Sequence, residues 1–181
     1  MKGKNFIDVG AMQVLFKGSV QGMEVPRDIY CILKAPALLG GMRYPHSQTD
    51  WTGIAQVGFK YVVNLEDDSF SNYDHSPLKG LYSAHLEDLC SGRPPRNEGE
   101  EKRLITEAVE VIVSTLCKGE GVLVHCIGGR GRTGTVMGCI LKRLGYSSEA
   151  ILKYLNDLHI ARGKPGWPES EWQKALVCSF E

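Results

Sequence analysis

The sequence has no apolar run approaching the roughly 18–20 residues that span a bilayer. It has no charge excess either, since 21 Lys plus Arg balance 21 Asp plus Glu over 181 residues. The first absence points to a soluble chain, and residues 1–6, Met-Lys-Gly-Lys-Asn-Phe, lack the apolar stretch of a secretory leader. The second argues against a sequence-blind nucleic-acid binder, which carries a basic excess. Cys31, Cys90, Cys117, Cys126, Cys139 and Cys178 stand singly with no CxxC pair. In a chain this long they read as free thiols of a reducing, cytoplasmic setting rather than a disulfide framework. Repeats, low-complexity tracts and long charge blocks are missing too, so nothing marks a linker. With 43% hydrophobic residues a sizeable core is affordable, and one domain over 1–181 is expected, with 1–27 an extension of open role.

Short apolar runs at 6–9, 14–16 and 29–33 read as strands between turns. Thr49 is a candidate cap for a short helix to about 56, ended by Gly58, and 60–65 is a buried strand by its β-branched and aromatic content. Residues 66–80 are acidic and rich in turn formers, hence expected at the surface. Residues 81–85 form a weaker strand candidate, and a Gly/Pro-rich loop runs from 86 to 99. Leu104, Ile105, Ala108, Ile112 and Leu116 follow helical spacing, predicting an amphipathic helix over about 97–117. A short apolar strand at 121–126 leads into a glycine-rich loop. Helices follow over about 133–144, from Ser147 or Ser148 to about 160, and from Pro168 to about 180. Strands alternating with helices predict an α/β fold with a mainly parallel central sheet flanked by helices.

The informative stretch is residues 122–135, Val-Leu-Val-His-Cys-Ile-Gly-Gly-Arg-Gly-Arg-Thr-Gly-Thr. Gly129, Gly131 and Gly134 satisfy the letter of a dinucleotide-binding GxGxxG, but only 47 residues follow and Asp157 lies in a helical pattern. A GxxxxGK[ST] phosphate loop fails because Thr135 stands where the lysine belongs. A bare strand-to-helix turn explains the glycines, yet not a cysteine at the strand's end and an arginine six positions later. A fourth reading explains all of them. Gly128, Gly129 and Gly131 let the backbone curl and aim successive N–H groups at one point, which the next helix also faces with its N-terminus. Arg132 can close over that point as a planar fork. Cys126, at the base, feels the same field, which favours a thiolate able to attack phosphorus.

His125-Cys126-x5-Arg132-Thr133-Gly134 resembles the signature of the cysteine-dependent protein tyrosine phosphatases. The compact length and the motif's position are similar to the dual-specificity branch, and the likeness runs over about residues 28–178. The resemblance implies that Cys126 forms a cysteinyl-phosphate while the amides of 127–132, hence of Ile127, Gly128, Gly129, Arg130 and Gly131, and the Arg132 guanidinium hold the phosphoryl oxygens. No metal or cofactor is implied. Thr133 would donate to the Cys126 sulfur or cap the helix, and His125 would be a buried support. The family's general acid is an aspartate on a loop before the motif, which points to Asp88, with Glu87 as its neighbour and rival.

Trp167-Pro168-Glu169 mimics an acid-loop signature of classical tyrosine phosphatases but follows the nucleophile, so it reads as a helix start with Glu169 in the first turn. Arg130 puts extra charge at the mouth, as in lipid- and inositol-directed members, or is a salt-bridged surface residue. Ile127 breaks that likeness, while Arg93 and Arg96 would add to a basic rim. A phosphorylated protein is therefore the expected substrate, with an inositol phosphate or phosphoinositide as the alternative and a non-catalytic phosphate-binding module as the non-enzyme alternative. His75, His85 and Cys90 fit no common zinc spacing. Cys90 is also a candidate for a reversible disulfide with Cys126 on oxidation.

Overall fold

The computed structural model describes residues 6–16 and 20–181. Residues 1–5, on which the reading of the N-terminus rests, lie outside the described residues. The chain runs α1 (Val9–Phe16), β1 (Ile29–Leu33), β2 (Leu39–Met42), α2 (Trp51–Val57), β3 (Phe59–Asn64), β4 (Lys79–Ser83), α3 (Glu98–Cys117), β5 (Gly121–His125), α4 (Gly131–Arg143), α5 (Ser148–Ala161) and α6 (Glu171–Ser179). The five strands form one sheet in the order β1-β2-β5-β3-β4. β2, β5, β3 and β4 pair in parallel, and among the described residues the β1–β2 pair alone is antiparallel. The α/β architecture is thus as expected. The carboxyl ends of β2, β5 and β3 lie side by side, with Met42, His125 and Asn64 in register.

Two expectations for the N-terminal part fail. Residues 9–16 are helical rather than two strands, because Met12 and Phe16, one turn apart, are both buried against the core. Phe6 precedes that helix without regular structure and stacks on Tyr154. Conversely β2, Leu-Gly-Gly-Met, was not foreseen. A glycine pair reads as a turn, yet here each glycine admits an aromatic ring. A Cβ on Gly40 would lie 2.7 Å from the Phe59 ring, and one on Gly41 would lie 2.4 Å from the Tyr30 ring.

β5 is buried along its whole length, as is α4 from Gly131 to Leu141, so the segment linking them starts and ends in the core. α3, α5 and α6 all pack against α4. Gly138 lets Val177 and Leu155 approach that helix, and Gly134 lets the Trp167 indole do so. The last helix is cut shorter than expected. Ser170 and Gln173 form a reciprocal capping box, so α6 begins at Glu171 and Pro168 lies outside it. Among the described residues no helix is long and apolar enough to cross a membrane.

Candidate active site

β5 delivers His125 and Cys126 to the carboxyl edge of the sheet, and residues 127–130 turn the chain into α4. Gly129 has φ of +62°, and a Cβ there would lie 2.5 Å from the Met42 carbonyl oxygen, so only glycine fits on both counts. The Gly129 carbonyl accepts two hydrogen bonds, from the Tyr30 hydroxyl (2.9 Å) and from Arg162 Nη1 (2.6 Å). The C=O and N–H of a trans peptide unit point in opposite directions. Fixing that carbonyl toward the core therefore fixes the Arg130 N–H away from it. Tyr44 N–H donates to the Ile127 carbonyl at 2.8 Å and ties the other side of the turn to the segment after β2.

α4 starts at Gly131, two residues earlier than expected, with Arg130 in the cap position and no side chain capping the first turn. Its leading N–H groups are left for an anion. Thr133 is inside that turn and does not cap it; its hydroxyl donates to Cys126 Sγ at 3.2 Å. Cys126 is 2% exposed and forms part of a cleft of about 280 Å³ whose other lining residues include Ile127, Gly128, Arg130, Gly131, Arg132 and Asp88.

Arg132 is buried and pairs with Glu66 (Nη1–Oε2, 2.5 Å), donates to the Leu86 carbonyl (3.3 Å) and lies 3.9 Å from Asp88 Oδ2. Asp88 accepts the Cys90 N–H at 2.9 Å. That bond, aided by Arg132 and Arg130, holds the Asp88 carboxyl below the ordinary aspartate range. Glu87 turns away from the cleft. Its carboxylate accepts the Arg96 N–H, and its own N–H donates to Glu101. Burial pushes the Glu101 carboxyl up to about 7. His125 is fully buried, with Nε2 on the Tyr73 hydroxyl and its ring edge-on to Tyr44, and burial pushes it down to about 3.

Arg130 is bound to Glu169 (Nη2–Oε1, 2.6 Å) and to the Gly166 carbonyl (3.0 Å). Glu169 therefore lies in the cleft wall rather than in a helix turn, while Trp167 is buried with its indole N–H on the Gly131 carbonyl (3.3 Å). Arg93 and Arg96 are exposed and do not line the cleft. Cys90 and Cys126 are free thiols on the same cleft.

Sequence reasoning missed Tyr30, Glu66, Arg162 and Glu169. Tyr30 and Arg162 reach Gly129 from 99 and 33 positions away, which no local spacing reveals. Glu66 stood within a segment taken as surface, yet its carboxylate faces the buried Arg132. An acidic residue two positions after the buried strand β3 was the available signal.

Residues 30–164 match the family model described as PTP-SAK, a Swiss Army Knife protein, DSP-PTPase phosphatase domain. The protein 067L of Invertebrate iridescent virus 3, which is named a tyrosine phosphatase, is 27% identical over 157 residues, 80% of this chain and 61% of its own. The chain thus spans about three fifths of that curated relative. Two solved structures share the fold. TpbA of P. aeruginosa in complex with pTyr has a TM-score of 0.58 at 17% identity over 90% of both chains. The catalytic core of the PP-IP phosphatase SIW14 of S. cerevisiae has 0.57 at 17% identity, over 79% of this chain and 80% of that one. With the cysteine, the arginine and the curled loop in place, the chain belongs to the DSP-PTPase family of cysteine-based phosphatases.

Proposed function

We propose that the protein is a phosphomonoesterase that works through a cysteinyl-phosphate, with phosphotyrosine in proteins as its main substrate class. The observation that carries this reading is Cys126 Sγ at the cleft floor, hydrogen-bonded by Thr133 and facing the uncapped start of α4. A phosphate monoester entering the cleft meets the backbone N–H groups of the loop and the fork of Arg132, which exchanges Glu66 for phosphoryl oxygens. The Cys126 sulfur forms the S–P bond as the P–O bond to the leaving group breaks. Water then attacks phosphorus and releases the thiolate, to which Thr133 donates. This chemistry rests on positioning and fixed donors and asks for no metal.

Asp88 is the group at the mouth suited to protonate the leaving oxygen and to activate water afterwards. In the free protein its carboxyl is held ionised. A bound phosphate draws on Arg132 and adds negative charge beside Asp88, and both effects favour its protonated form. Glu87, engaged elsewhere, is the weaker choice. Ile127, 54% exposed, and Pro165 give the cleft apolar walls, which supports an aryl phosphate over a polyphosphorylated small molecule.

The test is turnover of p-nitrophenyl phosphate after EDTA treatment, wild type beside Cys126→Ser. Activity that survives chelation and falls to background in the variant is expected. Activity retained by the variant would mean another nucleophile, and none in the reduced wild type would favour a binding module.

A further inference from the structure

Besides Arg132, the described cleft lining holds two cations suited to a substrate with several phosphates, Arg130 and Lys164, and the partner of Arg130 in the wall changes its meaning. Glu169 Oε1 is 2.6 Å from Arg130 Nη2, and the two side chains are only 8% and 20% exposed. A second bond, from Arg130 Nη1 to the Gly166 carbonyl, fixes the guanidinium against the 164–169 segment. Glu169 is itself held in place. Its N–H donates to Gln173 Oε1 (2.8 Å), and Trp167, two residues earlier, is anchored on α4. A Cβ on Gly131 would lie 1.6 Å from Glu169 Oε2, so the carboxylate rests directly on the first residue of α4 and needs a glycine beneath it. Burial pushes the Glu169 carboxyl up, and Arg130 with the helix dipole works against that push to favour the carboxylate.

We propose that Glu169 is the specificity-determining residue of the cleft: by holding and neutralising Arg130 it reserves the site for isolated phosphate monoesters and turns away substrates with a neighbouring phosphate. This rests on the function proposed above and narrows its substrate class. A phosphate group carries a charge of about −1.5 to −2 at neutral pH. The first one meets Arg132 and the loop amides. A second one on an adjacent position meets Arg130 already paired and the carboxylates of Glu169 and Asp88, which outnumber Lys164, the remaining cation of that lining. Replacing Glu169 with the isosteric glutamine removes the charge and leaves the Arg130 guanidinium, still held on the Gly166 carbonyl, uncompensated for a second phosphate.

The experiment has a binding arm and a turnover arm. In a Cys126→Ser background, calorimetry with inositol hexakisphosphate should show about tenfold tighter binding on adding Glu169→Gln, and adding Arg130→Met should abolish the gain. In the active enzyme, Glu169→Gln should raise kcat/KM for inositol hexakisphosphate relative to a phosphotyrosine peptide by a similar factor. A folded Glu169→Gln protein with neither change overturns the inference. A measurement on the wild type needs no variant. A peptide with a second phosphate beside its phosphotyrosine should turn over several-fold more slowly than the singly phosphorylated peptide, and equal or faster turnover overturns the inference. If the wild type hydrolyses no monoester while the binding arm responds as stated, the proposed function fails and the assignment of Glu169 stands.

Discussion

The cleft has two walls built on opposite plans. On the phosphate-loop side the groups that hold the loop are buried and tied to one another. The Gly129 carbonyl takes two donors, Arg162 donates to Pro26, Arg27 and Gly129 and stacks on Tyr30, and Trp167 seals α4. On the acid-loop side, Asp88 has a side chain 56% exposed and one backbone hydrogen bond, and Cys90 to Arg93 are exposed. The first wall is suited to holding donors in place before charge develops, so no reorganisation is needed at the moment of reaction. The second has few buried contacts, which is where local opening costs least. That wall suits the proton transfer proposed for Asp88.

That contrast can be broken from either side. The largest effect is expected from Asp88→Asn. It should slow hydrolysis of an alkyl phosphate by about 10²–10⁴-fold and spare an aryl phosphate with a good leaving group, as steady-state rates on the two substrates would reveal. Equal losses would remove Asp88 from the reaction. Arg162→Met comes next. It leaves three carbonyls short of a donor and should lower kcat/KM per folded molecule by about 10²-fold through a displaced loop, with partial rescue in Arg162→Lys. It should also cost about 3 kcal/mol in denaturant unfolding. An unaltered kcat/KM per folded molecule would show that Tyr30 alone holds Gly129.

The smallest effect is a pH response that differs in sign between the walls. Burial holds His125 and His159 neutral, pushed down to about 3 and about 2, from an ordinary value of 6.5. The unfolded chain therefore binds more protons below pH 6.5, and stability falls on acidification by about 1.4 kcal/mol per unit for each histidine. Glu101, under the acid loop, acts oppositely. Its carboxyl sits at about 7 against an ordinary 4.5, so the folded state takes its proton first and gains stability as pH falls between those values. Glu101→Gln should make the acid loss steeper in that interval, as read from denaturant midpoints across pH. An unchanged slope would show that Glu101 is not held protonated.

The loop between β5 and α4 was legible because its chemistry is contiguous, with cysteine, glycines, arginine and threonine within nine residues. Helix α3 was legible from its periodicity and α5 from its serine cap. What supports the loop was not, since Tyr30, Glu66, Arg162 and Glu169 come from separate segments and meet only through the fold. Periodicity also failed for α1, which is only eight residues long and buries just two of them. Glu169 shows the limit well. Its neighbours Trp167 and Pro168 attracted a helix-start reading, while the residue that gives it purpose, Arg130, is 39 positions away.

The missing side chain at Gly41 carries a consequence far from any substrate. The Tyr30 ring lies where a methyl group on that residue would stand, and the same ring carries the hydroxyl that grips Gly129. A change as slight as Gly41→Ala, in the interior of a strand with no place in the cleft, would push on a lever whose far end is the phosphate loop. Inherited variation at position 41 would thus masquerade as damage to the reaction while every reacting group stayed intact.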